Sequence, residues 1–126
     1  MDQATLVNLD IKRGSEFLDA LDRAKLKVTV ALWVYLPEYE DWRLVVSARR
    51  FDSLDPREAY RLLNDSLAAA GFTPAKTPPV MILPMADPFI RKLRQLAKTK
   101  SVEGMRLGGQ MIADRFIQEA HVYRIS

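Results

Sequence analysis

Between Val28 and Arg50 the chain alternates with a period of two, breaks at PEYED, and alternates again. Val28, Val30, Leu32 and Val34 point one way and Thr29, Ala31, Trp33 and Tyr35 the other, and both sets are largely apolar. A strand with no wet face belongs in the middle of a sheet, covered on both sides. The second run, Trp42 to Arg50, sends Trp42, Leu44, Val46 and Ala48 to one side and Arg43, Val45, Ser47 and Arg49 to the other, which is the wetter. Pro37 cannot donate to a ladder, and Glu38, Glu40 and Asp41 require solvent, so a hairpin loop of about five residues joins the runs. Carboxylates at a loop tip stay ionised and hydrated, whereas an acid/base pair needs a cleft that separates its pKa values. The acidic cluster therefore reads as a turn.

The flanking segments supply the covering layers. From Thr5 to Leu26 apolar residues recur at helical spacing, with Gly14 as a candidate break. Asp55, Pro56 and Glu58 form a helix start of the capping-box type, Ala59, Leu62, Leu63, Leu67 and Ala70 its buried stripe, and Gly71 followed by Phe72 its stop. Residues 73–79, TPAKTPP, form a non-helical connector, and Val80 to Leu83 a short edge strand bracketed by Pro79 and Pro84. Asp87 and Pro88 open a third helix that runs to about Thr99. Beyond it, Gly104, Gly108 and Gly109 and the ending HVYRIS favour two strands, about 104–112 and 115–125, turning at Ala113 and Asp114. The rival is a helix over Gln110 to Tyr123, because Ile112, Phe116, Ala120 and Tyr123 also fit helical spacing. The expected fold is α+β, order α-β-β-α-β-α-β-β: one domain, residues 1–126, with a mixed sheet of about five strands and three helices packed on it.

Charge narrows the partners. The net charge of +3 divides unevenly: residues 1–87 hold 11 Lys/Arg against 13 Asp/Glu, and residues 88–126 hold 8 against 3. The third helix concentrates the excess. Phe89, Ile90, Leu93, Leu96 and Ala97 gather on one side, Arg91, Arg94, Gln95 and Lys98 on the other, with Lys92 flanking and Lys100 following. Such a ridge can neutralise phosphates; it is also what the wet side of an amphipathic helix ordinarily carries. Arg49 and Arg50, and Arg57 and Arg61 four apart on the second helix, would widen it if they lie nearby. Trp33, Tyr35 and Trp42 could stack on bases, but their strand positions favour the core.

Other chemistry is thin. The absence of cysteine excludes disulfides, thiolate metal sites and a catalytic thiol. His121, the sole histidine, shares a strand face with Glu119 and has Asp114 near in sequence, but no further ligand spacing completes a metal site. Gly104, Gly108 and Gly109 with Arg106 lack the spacing of a phosphate loop and read as bulges or turns. No cofactor is expected. Neither signal-peptide nor membrane-span patterning is seen, so a cytoplasmic protein without a membrane partner is expected.

The pattern ALW, an acidic turn and W-R-L across Ala31 to Leu44, with A-x-V-Y-R-I at Ala120 to Ile125, resembles a group of small bacterial proteins of unassigned function. The shared patterns cover about a quarter of the chain and include no catalytic motif. The resemblance implies a hairpin for the last segment and no activity, although Ala113-Asp114 stands where an Asn-Gly turn would be expected. The expectation is a non-enzymatic interaction module, self-associating or docking on a protein through exposed sheet edges and the apolar connector. A nucleic-acid-associated protein using the basic helix is the alternative, and a small metal-dependent hydrolase built on Asp114, Glu119 and His121 a second.

Overall fold

The computed structural model describes residues 8–73, 75, 77–99, 104 and 106–126. Along the chain run α1 (Asn8–Arg23), β1 (Val30–Leu36), β2 (Asp41–Ser47), the short α2 (Arg49–Asp52), α3 (Pro56–Ala69), β3 (Val80–Ile82), α4 (Pro88–Thr99), β4 (Arg106–Leu107), β5 (Gln110–Ile112), β6 (Arg115–Ile117) and β7 (Ala120–Ile125). Five strands form a mixed sheet in the order β3-β2-β1-β7-β4, and β5 and β6 form a second, two-stranded sheet. Among the described strands only β2 and β3 run parallel. The class is α+β, as the periodicities require.

β1 is central and buried along its whole length. Its two faces enter separate cores. Ala31, Trp33 and Tyr35, with Trp42, Leu44 and Val46 of β2, pack under Phe17 and Leu21 of α1 and Leu63 and Leu67 of α3. Val30, Leu32, Val34 and Leu36 pack under Phe89, Ile90 and Leu93 of α4 and under Ile112 and Ile117 of the small sheet. Each large apolar side chain so buried stabilises the fold by roughly 1.5–3 kcal/mol, which is why the sheet needs cover on both sides. No helix among the described residues is long and apolar enough to cross a membrane.

The second strand departs from expectation. It ends at Ser47, and Arg49 and Arg50 begin α2, whose Phe51 is buried. Its supposedly wet face is also covered: Val45 is 2% exposed and Ser47 fully buried. The α4 side of the molecule covers Val45, so local alternation misassigned a face that a distant segment keeps dry. The connector differs too, since Thr77 N–H bonds back to the Thr73 carbonyl at 3.0 Å in a single helical-type turn.

Helix ends follow the sequence closely. Asp55 accepts from Glu58 N–H at 2.9 Å, and Asp87 from Phe89 N–H at 2.9 Å. At the end of α3, Gly71 takes φ +91° while Gly71 N–H bonds Ala68 and Phe72 N–H bonds Leu67. Phe72 then meets Phe17 edge-on, centroids 6.5 Å apart, tying α3 to α1. α1 stops by the same paired bonds, from Lys25 N–H to Asp22 and from Leu26 N–H to Leu21, but Lys25 holds the left-handed position at φ +60°. Replacing Lys25 by glycine is expected to raise stability by about 0.5–1 kcal/mol, read as a higher urea midpoint, because glycine carries no Cβ penalty there.

Gly14 does not break α1. A Cβ there would lie 2.7 Å from Tyr123 Cζ and 2.8 Å from Trp33 Nε1, so glycine lets the helix settle onto the sheet. Tyr123 reaches it because the β1–β7 register shifts between Ala31 and Leu32, which pair with Arg124 and Val122 and leave Tyr123 as the bulged residue. Trp33 Nε1–H donates to the Tyr123 hydroxyl at 2.9 Å, which donates to the Ile11 carbonyl at 2.6 Å. The adjacent Arg124 also reaches α1, gripping both oxygens of Asp22 at 2.9 and 2.8 Å. The bulge thus turns two consecutive side chains toward one helix.

The C-terminal segment is strand, as expected, with its turn at Ala113 and Asp114. It is one hairpin in continuous register: Arg106 pairs with His121, Leu107 with Ala120, Gln110 with Ile117 and Ile112 with Arg115. Gly108 and Gly109 interrupt it, and a Cβ on Gly108 would lie 2.8 Å from the Gln118 carbonyl oxygen. These glycines serve a break in a ribbon, so that its base extends the main sheet while its tip forms a separate one.

Candidate interaction surfaces

The basic helix is amphipathic as its sequence dictates. Ile90 and Leu93 are fully buried, and Arg91, Lys92, Gln95 and Lys98 are exposed. Arg94 is half-buried and its Nε donates to the Ser126 carbonyl at 2.8 Å, so it serves the fold as well as the surface. Lys100 lies outside the described residues. The strand arginines of the same region are paired: Arg106 with Glu119, Arg115 with Glu38 at 3.3 Å, and Arg124 with Asp22 at 2.8 Å. Among the described residues, Arg91, Lys92, Arg94 and Lys98 have no acidic partner, and of these Arg91, Lys92 and Lys98 stand exposed.

The other bases do not join this ridge. Arg49 and Arg50 are exposed on α2, and Arg57 and Arg61 on α3. Phe51 of α2 and the α3 stripe belong to the core on one side of the sheet, whereas α4 belongs to the core on the other. The two sets are anchored to opposite faces. Trp33, Tyr35 and Trp42 are buried, Tyr35 and Trp42 edge-to-face at 5.8 Å, so they offer no stacking platform.

Of the three residues weighed for metal chemistry, Asp114 stands apart from the other two. Asp114 sits at the hairpin tip, whereas His121 lies at its base opposite Arg106, and Glu119 is held by that arginine. Among the described residues no group of three or more His, Cys, Asp or Glu is placed to hold a metal ion. His121 rests edge-on against Tyr123, centroids 5.2 Å apart. Burial, and secondarily the Arg106 guanidinium, hold its imidazole below the usual 6.5. The unfolded chain therefore protonates first, and stability should fall as pH drops below about 6.5 until the folded-state value is passed. Urea midpoints between pH 7.5 and 5.5 check this, and His121→Gln should flatten the slope. Burial pushes the Tyr123 phenol up to about 12, with Asp10 adding to the effect and the Trp33 N–H opposing it. It is a structural hydroxyl. Asp22 moves the other way, its carboxyl lowered by the hydrogen bonds from Arg124.

The sheet edges are better protected than expected. On the outer side of β3, Ile82 N–H donates to the Tyr60 hydroxyl at 2.9 Å, and at the opposite edge β4 has two residues. Among the described residues the large apolar side chains that stand exposed are Leu9, Tyr39, Met111 and Phe116, and the last two lie together at the kinked hairpin tip. Met111 and Phe116 form a cross-strand pair, 61% and 51% exposed, while their neighbours Ile112 and Ile117 are 3% and 1% exposed on the other face. Sequence reasoning missed this pair. The register contained it, because a turn at 113–114 makes both faces of the tip apolar and only one can be buried.

Beside the pair opens a shallow cleft of about 480 Å³ lined by Glu38, Asp87, Phe89, Asp114, Arg115 and Phe116. It joins the β1–β2 turn, the start of α4 and the hairpin tip. The carboxylates of the first hairpin are exposed, as expected, but Glu38 meets Arg115 across this cleft. Another groove, of about 520 Å³, lies between α1 and the end of α3 and is lined by the charged Lys12, Arg13, Glu16, Asp19 and Arg23 together with Leu9 and Phe72.

The fold and these surfaces define an α+β domain with a doubly covered mixed sheet and a kinked terminal hairpin. Comparison with protein-family models, curated proteins and solved structures finds no match for the chain.

Proposed function

We infer that this domain is a non-enzymatic interaction module that docks a protein segment on the tip of its terminal hairpin. The observation that carries the inference is the Met111–Phe116 pair, apolar and exposed on a two-stranded tip whose other face already fills a core position. A solvent face of a small antiparallel sheet ordinarily carries polar residues, and large exposed apolar side chains set beside a cleft mark contact surfaces. Selection of random dodecapeptides displayed on phage, against wild type and Met111→Ser/Phe116→Ser, tests it. Peptides retained by wild type and lost on the double variant are expected; ligands that bind both equally would sink the reading.

A second reading, association with a nucleic acid, is favoured by the exposed α4 cations Arg91, Lys92 and Lys98, which have no acidic partner among the described residues. Three neutralised phosphates imply that affinity falls about 40-fold between 50 and 200 mM salt. Retention on a polyanion resin should fall accordingly, and Arg91, Lys92 and Lys98 changed together to glutamine should abolish it. Unchanged retention of that variant would end this alternative. The cytoplasmic setting belongs to either reading.

A further inference from the structure

We propose that the segment docked by the hairpin tip carries a lysine or arginine within three positions of an apolar side chain; this rests on the docking surface inferred above. The pole formed by the two turns and the start of α4 holds Glu38, Glu40, Asp41, Asp87 and Asp114, with Arg91 and Lys92 one turn along that helix and two bases, Arg43 and Arg115, within the hairpins. Both hairpin bases are already held by acids of the pole, Arg43 by Asp41 at 3.4 Å and Arg115 by Glu38 at 3.3 Å. The Asp87 carboxylate caps α4, which leaves Glu40 and Asp114 exposed with no basic partner among the described residues. In a chain of net charge +3, this acidic pole runs against the overall balance. It adjoins the exposed apolar pair, because Phe116 lines the same cleft as Glu38 and Asp114 and pairs with Met111.

Arg115 displays the chemistry such a recess accepts. Its guanidinium lies over the Phe89 ring, 5.8 Å from the centroid, while it bonds Glu38. A second cation entering beside it meets the Asp114 carboxylate. The apolar residue next to that cation covers Met111 and Phe116, so one short segment satisfies both features. An acidic segment would meet uncompensated carboxylates, and a neutral one would leave Asp114 unpaired at the contact.

The test extends the display selection with Asp114→Lys, and with Asp114→Asn as a milder exchange at the same exposed turn position. Melting temperatures confirm that each variant is folded. Peptides that depend on Met111 and Phe116 should be enriched in Lys or Arg near Leu, Phe, Trp or Met. A synthetic representative should bind Asp114→Lys at least tenfold more weakly than wild type, and Asp114→Asn at an intermediate level. Dependent peptides that are neutral or acidic, or indifferent to both exchanges, overturn the charge rule while leaving the docking surface in place. If no selected peptide depends on Met111 and Phe116, the docking surface fails as well. A wild-type dimer at 100 μM that Met111→Ser/Phe116→Ser dissociates would make a second copy the occupant and overturn the proposal.

Discussion

Replacing Gly14 by alanine is expected to cost about 3 kcal/mol, seen as a fall of roughly 2 M in the urea midpoint. The methyl would meet the Tyr123 ring and the Trp33 indole nitrogen below van der Waals distance, and both belong to the sheet. Either α1 lifts or the Trp33–Tyr123–Ile11 chain of hydrogen bonds breaks, leaving polar atoms at a largely buried contact unsatisfied. Combining Gly14→Ala with Tyr123→Leu should cost less than the two changes summed, because the leucine vacates space that the methyl occupies. A loss below about 0.5 kcal/mol for Gly14→Ala alone would show that the bulged tyrosine does not pin the helix.

The second large effect separates the two faces of the hairpin tip. Ile117→Ala should destabilise by about 2–5 kcal/mol, since Ile117 is 1% exposed in the core beneath α4. Phe116→Ala, one residue away and facing solvent, should change stability by no more than about 0.5 kcal/mol. Equilibrium unfolding of both variants decides the matter. Similar small losses would mean that the tip is a loose arm and the second core ends at α4. A large loss for Phe116→Ala would mean that its exposed face is buried in an assembly, and sedimentation would then show that assembly.

Much of the architecture was legible because it rests on local rules. The apolar faces of β1 demanded a central, doubly covered strand. Asp55, Gly71 and Asp87 marked helix ends through the backbone groups that a helix leaves unpaired. The acidic turn, the amphipathic stripe of α4 and the turn at Ala113-Asp114 likewise follow from residues within a few positions of one another. The candidate surfaces were legible only in part. The exposed bases of α4 could be read from helical spacing, but the tie of Arg94 to Ser126 and the pairing of each strand arginine could not.

What the sequence by itself determined is the three long helices, the central strand with its acidic turn, and the charge on α4, since each depends on period and on neighbours along the chain. Tertiary structure alone decided that both faces of β2 are covered, which face of the hairpin tip went inside, why Gly14 must lack a side chain, and that Glu38 meets Arg115 across a cleft. Those outcomes depend on contacts between residues far apart in sequence. Where both faces of a ribbon are apolar, only the space left by the rest of the fold chooses between them.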